Sequence, residues 1–245
     1  MQAKRVQIIE NDHSPEAIAK RLSTGPKHSY LRDWVYGGID GAVTTFAVVS
    51  SVVGAELSAR IVLIMGVANL IADGFSMAAS NYLGTKTEAE ELKHFKRIEH
   101  EEIKQMPEGE REEVRQMLAK KGFQGAALNQ AVDVITSNRE NWVRLMLTEE
   151  YGLPTEIRSP KKAAFSTFSA FVVCGLIPLA PFLLRASAPF EAALGFTGVT
   201  FFLIGSLKSH WSVAPWWKSG AITLLIGGAA SAFAYVAGIL LKGLV

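Results

Sequence analysis

Three side chains able to bind a metal recur one helical turn apart in an apolar stretch: Asn69, Asp73 and Met77. At positions i, i+4 and i+8 they share one face of a helix, with Ser76 and Ser80 close by. A second acid, Asp40, stands in the run GGIDGAVTTFAVV, just inside another apolar segment. An ionised carboxylate near the middle of a bilayer costs at least about 2.5 kcal/mol, so each acid needs a partner or a task. Neither segment has a lysine or arginine in its core, so Asp40 and Asp73 require protons, water or a metal cation. The carboxylates and the Asn69 carbonyl are hard donors. The Met77 thioether is a soft one that a Ca²⁺ or Mg²⁺ site does not need, and the combination favours a first-row transition metal. Asp33, roughly 10 Å before Asp40 along the same helix, is placed to guard the mouth of such a path. The plainer alternative is that the polar residues are helix-packing glue, because Gly37, Gly38, Gly41, Gly66 and Gly74 mark helices that expect close neighbours.

A second acidic group lies in a charged, polar part of the chain. Glu99 and Glu102 are spaced i, i+3, as are Glu110 and Glu113 beyond a turn at Pro107, and Met146 and Glu150 are spaced i, i+4. Each pair shares a helix face. Helices that hairpin back on one another would bring these carboxylates and the sulfur together. Di-iron bundles hold metal with glutamates from several helices, although their Glu-x-x-His pair is missing here and His94 and His100 serve only as reserve ligands. A stretch such as Glu-His-Glu-Glu-Ile-Lys also reads as a solvated helix laced with ion pairs, and spacing alone does not separate the two readings.

The elements that must carry these residues follow from the hydropathy pattern. The 245-residue chain is 49% hydrophobic, yet holds 25 Lys+Arg against 23 Asp+Glu, so its charges are segregated. Apolar runs long enough to cross about 30 Å of hydrocarbon occur at 36–55, 61–83, 163–184, 192–207 and 221–241. This predicts an all-α polytopic membrane protein: a polar lead-in over 1–34, two spans within 35–85, a soluble helical domain over 86–161, and three spans within 162–245. Ser14-Pro15-Glu16 predicts a short surface helix in the lead-in. No proline interrupts 61–105, which predicts one helix of roughly 65 to 70 Å, half of it projecting from the membrane. Gly125–Ser137 and Asn141–Glu150 predict further helices, the last ended by Gly152-Leu153-Pro154.

Lys4, Arg5, Lys20, Arg21, Lys27 and Arg32 precede the first span, which predicts a cytoplasmic N-terminus, a cytosolic helical domain and an extracytoplasmic C-terminus. Trp211, Trp216 and Trp217 suit an interfacial belt on the cytoplasmic side. No signal peptide is expected, and Cys174 reads as inert packing. A net charge of +2 gives no argument for nucleic acid, and bilayer headgroups account for the basic residues beside the spans.

The motifs Arg32-Asp33-Trp34-Val35-Tyr36-Gly37-Gly38-Ile39-Asp40-Gly41, Asp73-Gly74-Phe75-Ser76-Met77-Ala78 and Glu99-His100-Glu101-Glu102-Ile103 resemble the vacuolar iron transporter family. The resemblance implies five spans, a homodimer with the path between the first helices, and a cytosolic metal-binding domain. It also implies that Asp40 and Met77 act in the pore and that Glu99, Glu102, Glu110, Glu113, Met146 and Glu150 hold metal. One departure is Asn69, which stands where the family has glutamate, while Asp73 supplies an acid one turn later. The activity implied is exchange of Fe²⁺, and often Mn²⁺, for H⁺, that is, transport rather than enzymatic conversion. Ligand types do not rank Fe²⁺, Mn²⁺, Co²⁺ and Zn²⁺. On this reading the glycines beside Asp40 let two copies of the first helix approach and share one ion. The rivals are a membrane-tethered iron-binding or ferroxidase module and a passive divalent-cation channel. The chain suits a prokaryotic inner membrane, or a vacuolar-type membrane in a eukaryote.

Overall fold

The computed structural model describes residues 14–24, 28–209 and 214–242. Lys4, Arg5, Lys27, Trp211 and Val245, used above in placing the termini and the aromatic belt, lie outside the described residues. Every regular element among the described residues is helical: α1 (Pro15–Thr24), α2 (Leu31–Gly54), α3 (Ala59–Gln105), α4 (Pro107–Lys120), α5 (Gly125–Thr136), α6 (Arg139–Glu149), α7 (Pro160–Leu183), α8 (Pro189–Lys208) and α9 (Trp216–Lys242). Five of these, α2, α3, α7, α8 and α9, are long and apolar enough to cross a membrane.

Local chemistry sets the helix ends. The Ser14 hydroxyl accepts from the Ala17 N–H at 3.2 Å and starts α1, and Asn138 Oδ1 caps α6 by accepting from Asn141 N–H at 3.0 Å. Pro107, Pro160 and Pro189 each open a helix, where a missing N–H costs nothing. Gly152, at φ +65°, ends the run after α6. Four of the spans, α2, α7, α8 and α9, begin three to five residues before their apolar runs. α2 begins at Leu31 rather than at the first apolar residue, so Arg32 and Asp33 are already helical, and α7 begins at Pro160. Hydropathy marks where a helix meets hydrocarbon, whereas the backbone hydrogen bonds start a turn or more earlier.

The 47 residues of α3 form one unbroken helix, about 70 Å at 1.5 Å per residue. Its first half packs in the membrane bundle and its far half carries the insert α4–α6, which among the described residues packs on no spanning helix other than α3. Two apolar clusters hold the bundle. One gathers Phe46, Val49, Leu70, Phe171, Leu179 and Phe182, and the other Val35, Ala42, Cys174, Phe201 and Ile204. The insert has its own core of Ile103, Val114, Leu118, Val132, Trp142, Val143, Met146 and Leu147.

The closest helix pair in the bundle is α2 with α7. A Cβ at Gly37 would lie 2.3 Å from the Thr167 carbonyl oxygen, and one at Gly41 would lie 2.3 Å from the Phe171 carbonyl oxygen. Gly38 meets the sulfur of buried Cys174 in the same seam. This corrects the expectation that the glycines bring two copies of α2 together: within one chain they are consumed by α7. Gly41→Ala therefore forces the backbones apart and should lower stability by about 1 to 3 kcal/mol. Gly84→Ala, with nothing near its added methyl, should be neutral or stabilising by up to ~1 kcal/mol. Thermal unfolding of the full chain in detergent checks both, and equal midpoints for the two variants would contradict the close seam.

Candidate metal path and carboxylate cluster

In the membrane half, Asp40 is half-buried on α2 and Asp73, exposed on α3, is its charged neighbour. Neither forms an ion pair among the described residues, as the lack of basic residues in these spans required. Asn69 is engaged differently. Its amide Nδ2 donates to Thr44 Oγ1 at 3.3 Å and approaches Thr45 Oγ1 at 3.5 Å, while the Thr44 hydroxyl donates to the Asp40 carbonyl at 2.9 Å. Asn69 thus clamps α3 onto α2, the packing role weighed above, and a carboxylate there would lack the N–H to do so.

Met77 is half-buried and lines a cavity of about 350 Å³ together with Asp33, Ser80, Asn81, Glu88 and Arg158. Asp40 does not line this cavity, so one chain does not bring the acid and the thioether into a common chamber. Asp33 lies at its wall but is not an open carboxylate. Arg158 Nη1 donates to both Asp33 oxygens, at 2.6 and 2.7 Å, and Asn81 Nδ2 donates to one of them at 2.9 Å. Asn81 also donates to Thr167 Oγ1 at 2.7 Å, which ties the mouth to α7. Arg158 sits in the connection between the insert and α7, and sequence reasoning missed it. Nothing periodic singles it out.

The insert presents a different environment. Glu99 is fully buried, Glu110 is 5% exposed, and neither oxygen of Glu99 nor Oε2 of Glu110 has a hydrogen-bond partner. Surface charges nearby behave as the solvated-helix reading expects: Lys96 pairs with Glu140 at 2.9 Å, Lys121 with Glu149 at 2.8 Å, and Lys86 with Glu90 at 3.5 Å. His100 accepts from Arg139 at 3.2 Å and His94 contacts Arg97 at 3.4 Å, so Nδ1 of each imidazole already has an arginine partner on the surface. Glu99 and Glu110 break that pattern, because a buried carboxylate without donors is costly unless it carries a proton or a cation.

Glu99 lies on the projecting half of α3, about 24 Å beyond the apolar run that ends at Leu83. Burial, followed by the fields of Glu110, Glu150 and Glu102, pushes its carboxyl up to about 7, against a downward pull from the Tyr151 hydroxyl. Burial and then Glu113, Glu102 and Glu150 raise Glu110 to about 7. Glu150 is also shifted up, by partial burial of its carboxyl and then by Glu113. The five glutamates therefore share one electrostatic field, although no three acidic, imidazole or thiol groups among the described residues stand in metal-ligand geometry. Met146 is fully buried in the apolar core of the insert. The cluster is assembled but not closed. Tyr151, its ring 4.5 Å from that of Phe95 at a tilt of 37° and its hydroxyl acting on Glu99 and Glu150, belongs to it and was not anticipated.

Five apolar spans, a helix that runs out of the bundle and a helical insert rich in glutamate define a polytopic membrane protein of one architecture. The chain matches the VIT family over residues 31–239. It is 33% identical over 229 residues to "Vacuolar iron transporter 1" of Arabidopsis thaliana, covering 91% of this chain and 88% of the relative. It is 32% identical over 235 residues to "Vacuolar iron transporter" of Toxoplasma gondii (91% and 78%) and 30% identical over 238 residues to "Vacuolar iron transporter 1" of Oryza sativa subsp. japonica (95% and 91%). The chain belongs to the vacuolar iron transporter family.

The raised acids predict a pH dependence with a definite sign. Glu99 and Glu110 keep their protons up to about pH 7 in the folded chain, whereas unfolded carboxylates lose theirs near 4.5. The metal-free chain should therefore lose stability as pH rises from about 4.5 to 7, and Glu110→Gln should flatten that slope. Binding of Mn²⁺ at about pH 6.5 should release protons, read by calorimetry in buffers of different ionisation enthalpy.

Proposed function

We propose that the chain is a homodimeric transporter that moves Fe²⁺ out of the cytoplasm in exchange for H⁺. The observation that carries this reading is the pair of buried glutamates, Glu99 and Glu110, with no cation paired to either, on the side of the bundle where Met77 and Asp33 line an open cavity. The relatives named above are iron transporters, which supplies the metal. In the proposed order, Glu99, Glu102, Glu110, Glu113, Glu150 and Met146 capture the ion in a cytosolic domain. It then passes Asp33 and is bound by Asp40 and Met77 from both protomers, with Asp73 adding charge beside Asp40 and Asn69 holding α3 in place. A cation entering a site of protonated acids displaces their protons, and that displacement is the exchange.

The homodimer has its own physical support. Asp73, Ser76 and Ser80 are exposed on α3 within a span whose other outward residues, such as Ile64, Val67, Ile71 and Phe75, are apolar. Such a polar stripe is expensive against lipid and cheap against a second copy lining water. The same symmetry supplies two Asp40 and two Met77 side chains, where one chain offers too few ligands. On this reading the N-terminus and the insert lie in the cytoplasm and the C-terminus outside, in a prokaryotic inner membrane or a vacuolar-type membrane. Mn²⁺, Co²⁺ and Zn²⁺ fit the same donors.

Reconstitution tests the reading. Wild-type vesicles given Fe²⁺ should show metal uptake with an opposing pH change. Asp40→Ala and Met77→Ala should lower the rate at least tenfold, while Glu102→Ala with Glu113→Ala should weaken metal binding with a smaller effect at saturating metal. Uptake without a pH change would indicate a channel, and oxygen consumption without uptake would indicate a ferroxidase.

A further inference from the structure

A second cavity, of about 520 Å³, lies where α2 begins and α8 ends. Its wall is apolar, built from Leu31, Val35, Tyr36 and Ile39, and two cations, Arg32 and Lys208, line it as well. Both cations are exposed, and neither pairs with a carboxylate among the described residues. Arg158, at the neighbouring cavity, is by contrast held by Asp33. The one acid in the first turn of α2, Asp33, is buried with both oxygens on Arg158 and does not line the cavity. The start of α2 and the end of α8 lie on one side of the membrane, the side that carries the insert, because α2, α3, α7 and α8 cross in alternating directions. Trp216 and Trp217, exposed at the start of α9, mark the headgroup depth on that side.

We propose that this groove binds an anionic phospholipid from the leaflet on the insert's side, with the phosphate between Arg32 and Lys208 and an acyl chain along Leu31, Val35 and Ile39. Charge decides the occupant. An apolar groove at hydrocarbon depth is filled by any acyl chain, so selectivity comes from two unpaired cations held where a headgroup sits. The inference stands on membrane embedding, although Arg32 and Tyr36 also line the cavity of Met77 and Asp33, and lipid retention reads the groove without any transport assay.

The test is lipid retention by the full chain in detergent, measured by native mass spectrometry with phosphatidylglycerol and phosphatidylcholine at equal concentration. Wild type should keep phosphatidylglycerol in preference by about tenfold, as two basic contacts near a headgroup imply. Arg32→Gln with Lys208→Gln should remove the preference, and Lys208→Gln alone should reduce it. High salt should erase it in the wild type, because both cations are exposed. Equal retention of the two lipids by the wild type, or an undiminished preference in the double variant, would overturn the assignment. So would efficient copy-to-copy cross-linking of a Leu31→Cys variant, which would show a second chain in the groove.

Discussion

Backbone contact between α2 and α7 is the constraint on which the membrane half depends. With Gly37 and Gly41 pressed against the Thr167 and Phe171 carbonyls, α2 has no freedom to rotate or slide on its neighbour. The register so fixed sets Asp33 beside the start of α7, where Arg158 and the Asn81–Thr167 link meet it. Asp40, two helical turns further on, shares the face of Asp33 and has Asp73 of α3 as its charged neighbour. One steric fact therefore decides which acid is neutralised and which is left open. A larger residue at either glycine would disturb both acids together, although it touches neither.

The insert works on the opposite principle. Its stability comes from a small apolar core centred on Val114, Val143 and Met146, and that core holds Glu99 and Glu110 in a place where no local rule would put them. Burying two carboxylates without a cationic partner opposes folding, and their raised pKa values express that opposition. The fold tolerates the conflict because protons satisfy the acids in the absence of metal. A chain selected only for stability would resolve it with apolar residues, so the acids call for a task, which the proposed metal capture supplies.

Much of this was legible in the sequence, because hydropathy and helix periodicity are local signals. The five spans, the unbroken α3 and the helices of the insert follow from residue order alone, as does the sharing of faces by Glu99 with Glu102 and by Asn69 with Asp73. Features that depend on which distant segments meet were not legible. Arg158 is 125 residues from Asp33 and lies in a polar connection without periodicity. The glycines of α2 announced a close neighbour but could not say whether it was α7 or a second copy. His100 looked available because its partner, Arg139, comes from another helix of the insert, whereas Arg97 sits one turn from His94 on the same helix. Met146 and Glu150 share a helix face in sequence, yet packing draws the first into the core and leaves the second at the rim.

The Asp33–Arg158 pair bears on how an ion could cross between the two acidic regions. On the proposed route a divalent cation leaves a cluster of five glutamates and must reach Asp40 and Asp73. A third open carboxylate between them would be a trap, since transport requires binding strong enough to attract the ion and weak enough to release it. Arg158 removes most of that negative charge at the point of transit while Asn81 and Thr85 keep the pair hydrogen-bonded. Glu88 and the Met77 sulfur remain in the cavity as weaker contacts. The pair is also partly buried, so deleting either partner alone leaves an uncompensated charge, which costs more than the intact pair contributes. Charge at the mouth is thus held low by the same bond that fastens the insert's exit to α2, and the path and the scaffold share one interaction.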